Sequence, residues 1–355
     1  MPQPSAAQSR APEQGAARRA TRVHVVTGKG GTGKTTVSAA LALALASAGQ
    51  DVLLCEVEGR QGIARLFDVP PLPYEERRIA AGGGHRGTLS ASDHGSVHAL
   101  HIEAEAALLE YLSMYYRLGR AGRVLDRFGV TDFATTIAPG VRDVLLTGKV
   151  FEAATRGRRN PKGRRYDAVV LDAPPTGRIA QFLGVNAEVA GLAKVGPIKT
   201  QADTVMTLLR SDRTAVHLVT VLEEMPVQET ADGIAQLSEA GLPVGAVVVN
   251  MVRPRDLDAE ALTAIREDRI DPALVRSELE DAGIDSPGDL VDGLLAEALD
   301  HAERRALEDS QRTLVAGLGR PVHELPLLPG GVDLGALYLL AATLKEQGLG
   351  QEASR

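Results

Sequence analysis

One glycine-rich motif, Gly-Lys-Gly-Gly-Thr-Gly-Lys-Thr at residues 28–35, constrains the fold of this 355-residue chain more than any other feature. It fits the pattern G-x-x-x-x-G-K-[ST], in which backbone N–H groups surround phosphate oxygens, the lysine neutralises their charge and the hydroxyl can hold Mg²⁺. An apolar run at 23–26 precedes it and an Ala/Leu-rich helical pattern at 34–48 follows, so a helix N-terminus faces the anion. The motif therefore predicts a nucleotide-binding loop between a buried strand and a helix. The residues expected to bind the nucleotide here are Gly28, Lys29, Gly30, Gly31, Thr32, Gly33, Lys34, Thr35 and Thr36.

Short β-rich segments alternate with helical patterns, as is typical of a parallel sheet with helices on both faces. We predict an α/β P-loop NTPase fold with a mainly parallel seven-stranded sheet, helices on both faces and a helical subdomain. Strands are expected near 23–28, 51–57, 97–103, 167–172, 215–222, 244–250 and 321–327. Helices are expected near 34–48, 104–118, 141–156, 177–192, 200–210, 226–240 and 332–346.

The domain organisation follows from composition. Residues 22–346 are predicted to form one P-loop domain, with helical insertions at about 104–160 and 253–312. A disordered tail is expected at 1–21, a flexible connection at 81–96 and a flexible tail at 347–355. The second insertion has 17 acidic against 8 basic residues, which predicts either a solvated helical face or an acidic docking surface.

Charge and cysteine content exclude several classes of protein. A net charge of −7 argues against generic nucleic-acid binding. The single cysteine, Cys55, rules out an internal disulfide and fits a reducing compartment. No apolar segment approaches membrane-spanning length, and the first 20 residues have no apolar core of a secretion signal. We therefore expect a cytoplasmic protein.

A second element of a nucleotide site is the strand-end carboxylate of Asp172. It follows the apolar run Tyr-Asp-Ala-Val-Val-Leu at 166–171. In phosphate-loop enzymes such a carboxylate orients Mg²⁺ through its water shell, although an Asp after a buried strand can also cap the next helix. Thr35 and Asp172 are the predicted Mg²⁺ residues.

Two motifs resemble the arsenite-pump ATPase and tail-anchored-protein targeting family. The early Lys29 resembles the extra lysine of deviant Walker A ATPases, which reaches the phosphates held by the other subunit of a dimer. Asp172-Ala-Pro-Pro-Thr-Gly-Arg178 is similar to the family's second switch, D-T-A-P-T-G-H. Segments 97–112, 138–140, 248–250 and 325–331 extend the resemblance over about 22–346.

The resemblance implies Mg²⁺-dependent hydrolysis of ATP by a dimer, with Lys29 and Lys34 in catalytic roles. It also implies that Asn250 contacts the adenine and that the loop 326–331, with Pro329, flanks the base. Glu223 is implied to lie near the nucleotide across the dimer. For Asn250 the alternative is an ordinary turn residue.

The chain departs from the family at the first switch, where Glu58-Gly59-Arg60-Gln61 replaces D-P-A-H. Glu58 is the candidate catalytic base, but its carboxylate lies one methylene further out, so a working base, a slow base and a strand-end carboxylate all stay open. Gln61 is an alternative group to position water, and Arg178, in place of the histidine, adds a cation.

One cysteine is too few for three metal centres found among such ATPases. It excludes a thiolate arsenite site, a C-x-x-C zinc clamp and a bridging iron–sulfur cluster.

Three functions are compatible with these motifs. The first is an ATP-hydrolysing dimer, homomeric or with a paralogue, whose nucleotide state controls a protein client or membrane partner. The second is a slow or non-catalytic regulatory subunit of a heterodimer, because the first switch is altered. The third is a MinD/ParA-type positioning ATPase, although the polar C-terminus is unlike a membrane-binding basic helix. The apolar and aromatic residues at 111–116 are interpreted as core or as a client groove.

Overall fold

The computed structural model describes residues 22–83, 95–116, 139–159, 163–192, 197–285 and 287–350. The predicted tail at 1–21 lies outside these residues, as do most of the connection at 81–96, the centre of the first insertion and the side chains at 111–116. No helix in the described ranges combines the length and apolar character needed to cross a membrane.

The described strands form one sheet. They are β1 (Val23–Gly28), β2 (Val52–Glu56), β3 (Arg77–Ala81), β4 (Ser96–His101), β5 (Ala168–Asp172), β6 (Thr214–Thr220), β7 (Val244–Val252) and β8 (Val322–Pro326). Their order is β3-β4-β2-β5-β1-β6-β7-β8, and only β3 runs antiparallel to its neighbour. All seven predicted strands are present, and the mainly parallel sheet is confirmed. β3 was not predicted, because its arginines point to solvent at the sheet edge and its pattern is not that of a buried strand.

The described helices cover both faces of the sheet, as predicted. They are α1 (Lys34–Ser47), α2 (Gly62–Leu66), α3 (Ala104–Tyr116), α4 (Pro139–Arg159), α5 (Thr176–Leu192), α6 (Pro197–Leu209), α7 (Glu224–Glu239), α8 (Ala259–Arg266), α9 (Pro272–Asp281), α10 (Gly288–Ala316) and α11 (Leu334–Glu346).

Among the described residues, two large apolar clusters and a smaller one around Val247 and Val249 form the core. α1 is buried from Val37 to Ala46 and packs between the sheet and α11, while α4, α5 and α6 pack on the opposite face. Cys55 is fully buried in β2, and burial raises the pKa of its thiol. Because β2, β5 and β1 are parallel neighbours, their carboxyl ends meet at one edge of the sheet.

The C-terminal segment differs from the predicted flexible tail at 347–355. The Gln347 side chain hydrogen-bonds the backbone N–H and carbonyl of Glu324 at 2.8 and 2.7 Å, and Leu349 is buried. The chain is therefore held against the sheet to residue 350 by contacts that a polar, glycine-rich composition does not reveal.

Two buried histidines, His24 on β1 and His217 on β6, contact each other inside the sheet. His24 Nδ1 lies 3.1 Å from His217 Nε2, and the Ala246 N–H donates to His217 Nδ1 at 3.2 Å. His217 Nδ1 therefore carries no proton, and its Nε2–H donates to His24. Burial lowers the pKa of His24 to about 4 and that of His217 well below its ordinary 6.5.

We expect the free energy of unfolding to fall as the pH is lowered from 7.5 to 5.5. With the folded-state pKa depressed, stability is present above the ordinary pKa of 6.5 and is lost as the pH falls toward 4, because only the unfolded chain binds these protons. Each ring contributes roughly 1.4 kcal/mol over this interval. Urea denaturation should show that His24→Gln removes about 1.4 kcal/mol of the change and that His301→Gln, on α10, does not. A wild-type free energy that stays constant between the two pH values would contradict this account.

Candidate functional site

The phosphate-binding loop is shaped by two left-handed glycines and by its own threonine. Gly31 and Gly33 have φ of 91° and 86°, conformations that glycine adopts without strain. The Thr32 hydroxyl donates to the Lys29 carbonyl oxygen at 2.9 Å and closes the turn. No described side chain caps the N-terminus of α1. Its first N–H groups can therefore bind a phosphate.

Asn250, predicted to contact the adenine, is buried against this loop at the end of β7. Its side-chain amide donates a hydrogen bond to the Thr32 carbonyl oxygen at 2.9 Å. A Cβ on Gly33 would lie less than 3.0 Å from the same amide nitrogen, so the loop needs glycine there for a second reason. Asn250 therefore supports the shape of the loop, and its adenine contact stays a prediction.

The two residues predicted to hold Mg²⁺ lie in direct contact. The Thr35 hydroxyl donates to Asp172 Oδ2 at 2.7 Å, and the Ser38 hydroxyl lies 3.3 Å from Oδ1. Burial raises the pKa of the Asp172 carboxyl to about 6; the Thr35 hydrogen bond opposes this shift, and the nearby Glu56 adds to it. Hydroxyl and carboxylate oxygens are the donors that Mg²⁺ prefers. The pair therefore fits a magnesium ion beside the phosphate loop.

Glu58, the candidate base, lies on a polar cavity of about 180 Å³. Arginines from three segments share this cavity, and Arg178 pairs with the buried Asp143 at 3.4 Å. Burial raises the pKa of the Asp143 carboxyl, and Arg178 and Arg142 oppose the shift. Arg178 is thus partly neutralised by Asp143. The charged lining residues are Glu58, Arg60, Arg142, Asp143 and Arg178.

The side chain of Gln61 hydrogen-bonds to the backbone of Leu72. Its amide donates to the Leu72 carbonyl at 3.1 Å, and its oxygen accepts the Leu72 N–H at 2.8 Å. Gln61 also has a left-handed φ of 53°. Each end of the amide makes one hydrogen bond to the backbone of Leu72, and a role of Gln61 in positioning water stays a prediction.

Lys29 makes a contact within its own chain. Its ammonium group forms an ion pair with Glu229 on α7, and the two side chains are 31% and 36% exposed. The resemblance implied that this lysine reaches the phosphates of a second subunit. In the single chain it is turned toward Glu229 instead, so that role stays a prediction.

The remaining predicted residues each follow the carboxyl end of a parallel strand, at the same edge of the sheet. Lys34 begins α1 and is close enough to Asp172 to lower its pKa in part. Glu223 is exposed directly before α7, and Pro329 is exposed after β8, three strands from β1 in the sheet order. The nucleotide contacts of Glu223 and Pro329 stay predictions.

Two residues of this region were missed in the sequence. Glu56 ends β2 beside Asp172, and its Oε1 accepts the Gly62 N–H at 2.7 Å. A lone carboxylate inside the apolar run Val-Leu-Leu-Cys-Glu-Val was the signal that could have found it. Glu229 had no such signal, because its position beside Lys29 depends on the packing of α7.

Comparisons with known proteins agree with this geometry. The anion-transporting ATPase family matches residues 21–211. ATPase BagA of Mycobacterium tuberculosis is 51% identical over 328 residues, which cover 92% of this chain and 94% of that protein. Putative arsenical pump-driving ATPase 2 of Aquifex aeolicus is 24% identical over 69% of this chain and 85% of its own length. The arsenical pump-driving ATPase of Escherichia coli is 27% identical over 89% of this chain and 57% of its own length.

Proposed function

Because this chain belongs to the anion-transporting ATPase family, we propose that it hydrolyses ATP with Mg²⁺ as a dimer whose nucleotide state controls a protein client or membrane partner. The observation that carries the proposal is the hydrogen bond between Thr35 and Asp172 directly behind the phosphate loop. It joins the loop to the strand-end carboxylate in the arrangement that a nucleotide-bound magnesium ion requires.

Each group of residues in the site has a separate role in phosphoryl transfer. The loop N–H groups and Lys34 bind the phosphates, and Thr35 and Asp172 hold Mg²⁺, which neutralises phosphate charge when bound. Glu58 accepts a proton from, or orients, the attacking water. Arg60, Arg142 and Arg178 line the same cavity as Glu58 and bring positive charge to it.

The helices after β7 support the proposal of a docked partner. Within the described residues, α8 and α9 bury no side chain. Leu274 and Ile284 are 58% and 49% exposed on or beside them. Apolar side chains on acidic, weakly packed helices are suited to a partner that covers them.

Lys29 and Glu229 give the sharpest test of the dimer. Lys29→Ala is expected to lower ATP turnover about a hundredfold or more, because a cation that reaches the developing phosphoryl charge is lost. Glu229→Gln should tighten ATP-dependent association about 1.4- to fivefold, since an ion pair of about 0.2–1 kcal/mol no longer holds Lys29 back. Light scattering with ATP and phosphate-release assays measure both effects.

A matched control for this test is Glu224→Gln, which removes an exposed carboxylate from the same helix. It should behave as the wild type in both assays. A protein that stays monomeric with ATP and Mg²⁺, or a Lys29→Ala variant with wild-type turnover, would exclude the proposed dimer.

The altered first switch supports a second candidate, a regulatory nucleotide-binding subunit. Glu58 and Arg178 stand where the family has an aspartate and a histidine. The two functions differ in the turnover of Glu58→Gln, which falls steeply if Glu58 is the base. If the wild type releases phosphate only after a paralogous ATPase is added, the chain is one half of a heterodimer.

A further inference from the structure

Three polar residues stand side by side at the ends of neighbouring strands. Glu56 on β2 is in register with Asp172 on β5, and with His101 on β4 at its other side. All three are at least 93% buried. The row therefore runs from the predicted magnesium residue into a part of the site that the phosphate-loop motif does not assign.

Glu56 is only partly satisfied by the protein. Its Oε1 accepts the Gly62 N–H at 2.7 Å, while its buried Oε2 has no hydrogen-bond partner in the described structure. The ring nitrogen Nδ1 of His101 lies 3.7 Å from Oε2, which is beyond hydrogen-bond length. A buried carboxylate oxygen without a donor is costly, so this atom indicates that a further group belongs beside Glu56.

Glu56 lies close to the hydroxyl that would bind Mg²⁺. A Cβ on Gly62 would be 3.3 Å from Glu56 Oε1 and 3.7 Å from Thr35 Oγ1, so both oxygens flank the same glycine. The same Thr35 hydroxyl lies 2.7 Å from Asp172 Oδ2. Two neighbouring buried carboxylates repel each other unless one is protonated or a cation neutralises them. A divalent cation between Thr35, Asp172 and Glu56 removes that repulsion.

We propose that Glu56 is a third protein group of the magnesium site, and that it binds the ion through a coordinated water. The proposal rests on the proposed ATPase function and assigns a residue that the family motifs do not contain. It also gives Glu56 a second task, because its bond to Gly62 closes the loop Val57–Gln61 that carries Glu58. One carboxylate thus joins the metal position to the loop that holds the candidate base.

The test compares nucleotide affinity with and without metal, using a fluorescent ATP analogue in Mg²⁺ or in EDTA. Glu56→Gln keeps an oxygen for the Gly62 N–H but loses the charge. We expect its affinity in Mg²⁺ to fall about tenfold, as for loss of an outer ligand of a metal. In EDTA its affinity should be unchanged or higher, because one negative charge near the triphosphate is gone. A titration with Mn²⁺, followed by electron paramagnetic resonance, should show the same loss of metal affinity.

Two control variants separate the possible failures. Asp172→Asn must lower the Mg²⁺-supported affinity; if it does not, the proposed magnesium site itself is wrong. If Asp172→Asn lowers it and Glu56→Gln does not, only the role of Glu56 is wrong. Glu103→Gln removes a 58% exposed carboxylate beside His101 and should match the wild type.

A purely structural role would give a different pattern. If Glu56 only held the loop, Glu56→Gln would lose affinity equally in Mg²⁺ and in EDTA, and the proposal would be overturned. Circular dichroism checks that the variant is folded. Should it not fold, Glu56→Asp retains the charge but withdraws it by one methylene, and a loss confined to the Mg²⁺ condition is again required.

Discussion

Replacing Asp172 with asparagine is expected to slow Mg²⁺-dependent ATP hydrolysis about 10- to 100-fold and to leave the fold at least as stable as the wild type. The amide keeps an oxygen for the Thr35 hydroxyl and a donor for Ser38, so the local hydrogen bonds survive. What it loses is the negative charge that attracts magnesium. The two effects have opposite signs because the same burial that makes the carboxylate a strong metal ligand also makes it unfavourable without metal.

The size of the stability effect follows from the pKa of Asp172. Burial raises it from 3.8 to about 6, which corresponds to about 3 kcal/mol against the ionised form at neutral pH. Urea denaturation in EDTA and phosphate release in Mg²⁺ measure the two quantities. Asp203→Asn, at an exposed carboxylate paired with Lys199 on α6, is the control and should change neither. Hydrolysis by Asp172→Asn at the wild-type rate would exclude Asp172 from the metal site.

Gly28→Ala is expected to have the second large effect, on both stability and nucleotide binding. The new Cβ would lie less than 3.0 Å from the Val219 carbonyl oxygen and 2.9 Å from the Thr32 hydroxyl. Since Gly28 and Val219 are in register between β1 and β6, the end of β1 has to move away from its neighbour. We expect a loss of about 3 kcal/mol in unfolding free energy and an affinity for ATP at least about tenfold lower.

Gly30→Ala provides a control within the same loop. A Cβ at Gly30 meets no atom within 4 Å, and Gly30 is not among the left-handed glycines. Its thermal midpoint should stay within about 1 °C of the wild type, whereas Gly28→Ala should lower the midpoint by roughly 5 °C or more. Equal losses of thermal midpoint for the two substitutions, by differential scanning fluorimetry, would show that the close approach of β1 to β6 is not the cause.

The elements that could be predicted well are those whose local sequence already shows their burial or belongs to a motif of known geometry. β1, β2, β5 and β7 are buried on both faces and therefore appear as short apolar runs. Thr35 and Asp172 are 137 residues apart, yet their contact was predictable. Thr35 belongs to the phosphate-loop motif after β1, and Asp172 ends β5, the strand paired with β1. Glu56 could have been identified as a candidate site residue, because it is a charged residue inside an apolar run.

Other features depend on packing that no local pattern describes. Lys29 meets Glu229 across 200 residues, and this contact needs the docking of α7 beside the phosphate loop. Gln61 was offered as an alternative group to position water, and nothing in its local sequence indicated that its amide hydrogen-bonds to the backbone of Leu72. β3 escaped prediction because it begins with two exposed arginines and has no buried residue, so its sequence is not that of a buried strand.

The hydrogen bond from the Asn250 side chain to the Thr32 carbonyl oxygen connects the phosphate loop to the end of β7. The chain continues from β7 into the helices α8–α10. The next residue, Met251, has a left-handed φ of 57° and is 40% exposed where the chain leaves the sheet for those helices. The Asn250 side chain therefore links the phosphate loop directly to the end of β7, from which the chain continues to those helices. Exchange rates of the Asn250 side-chain amide protons, measured with and without nucleotide, report on this linkage. Rates that do not respond to nucleotide would argue against it.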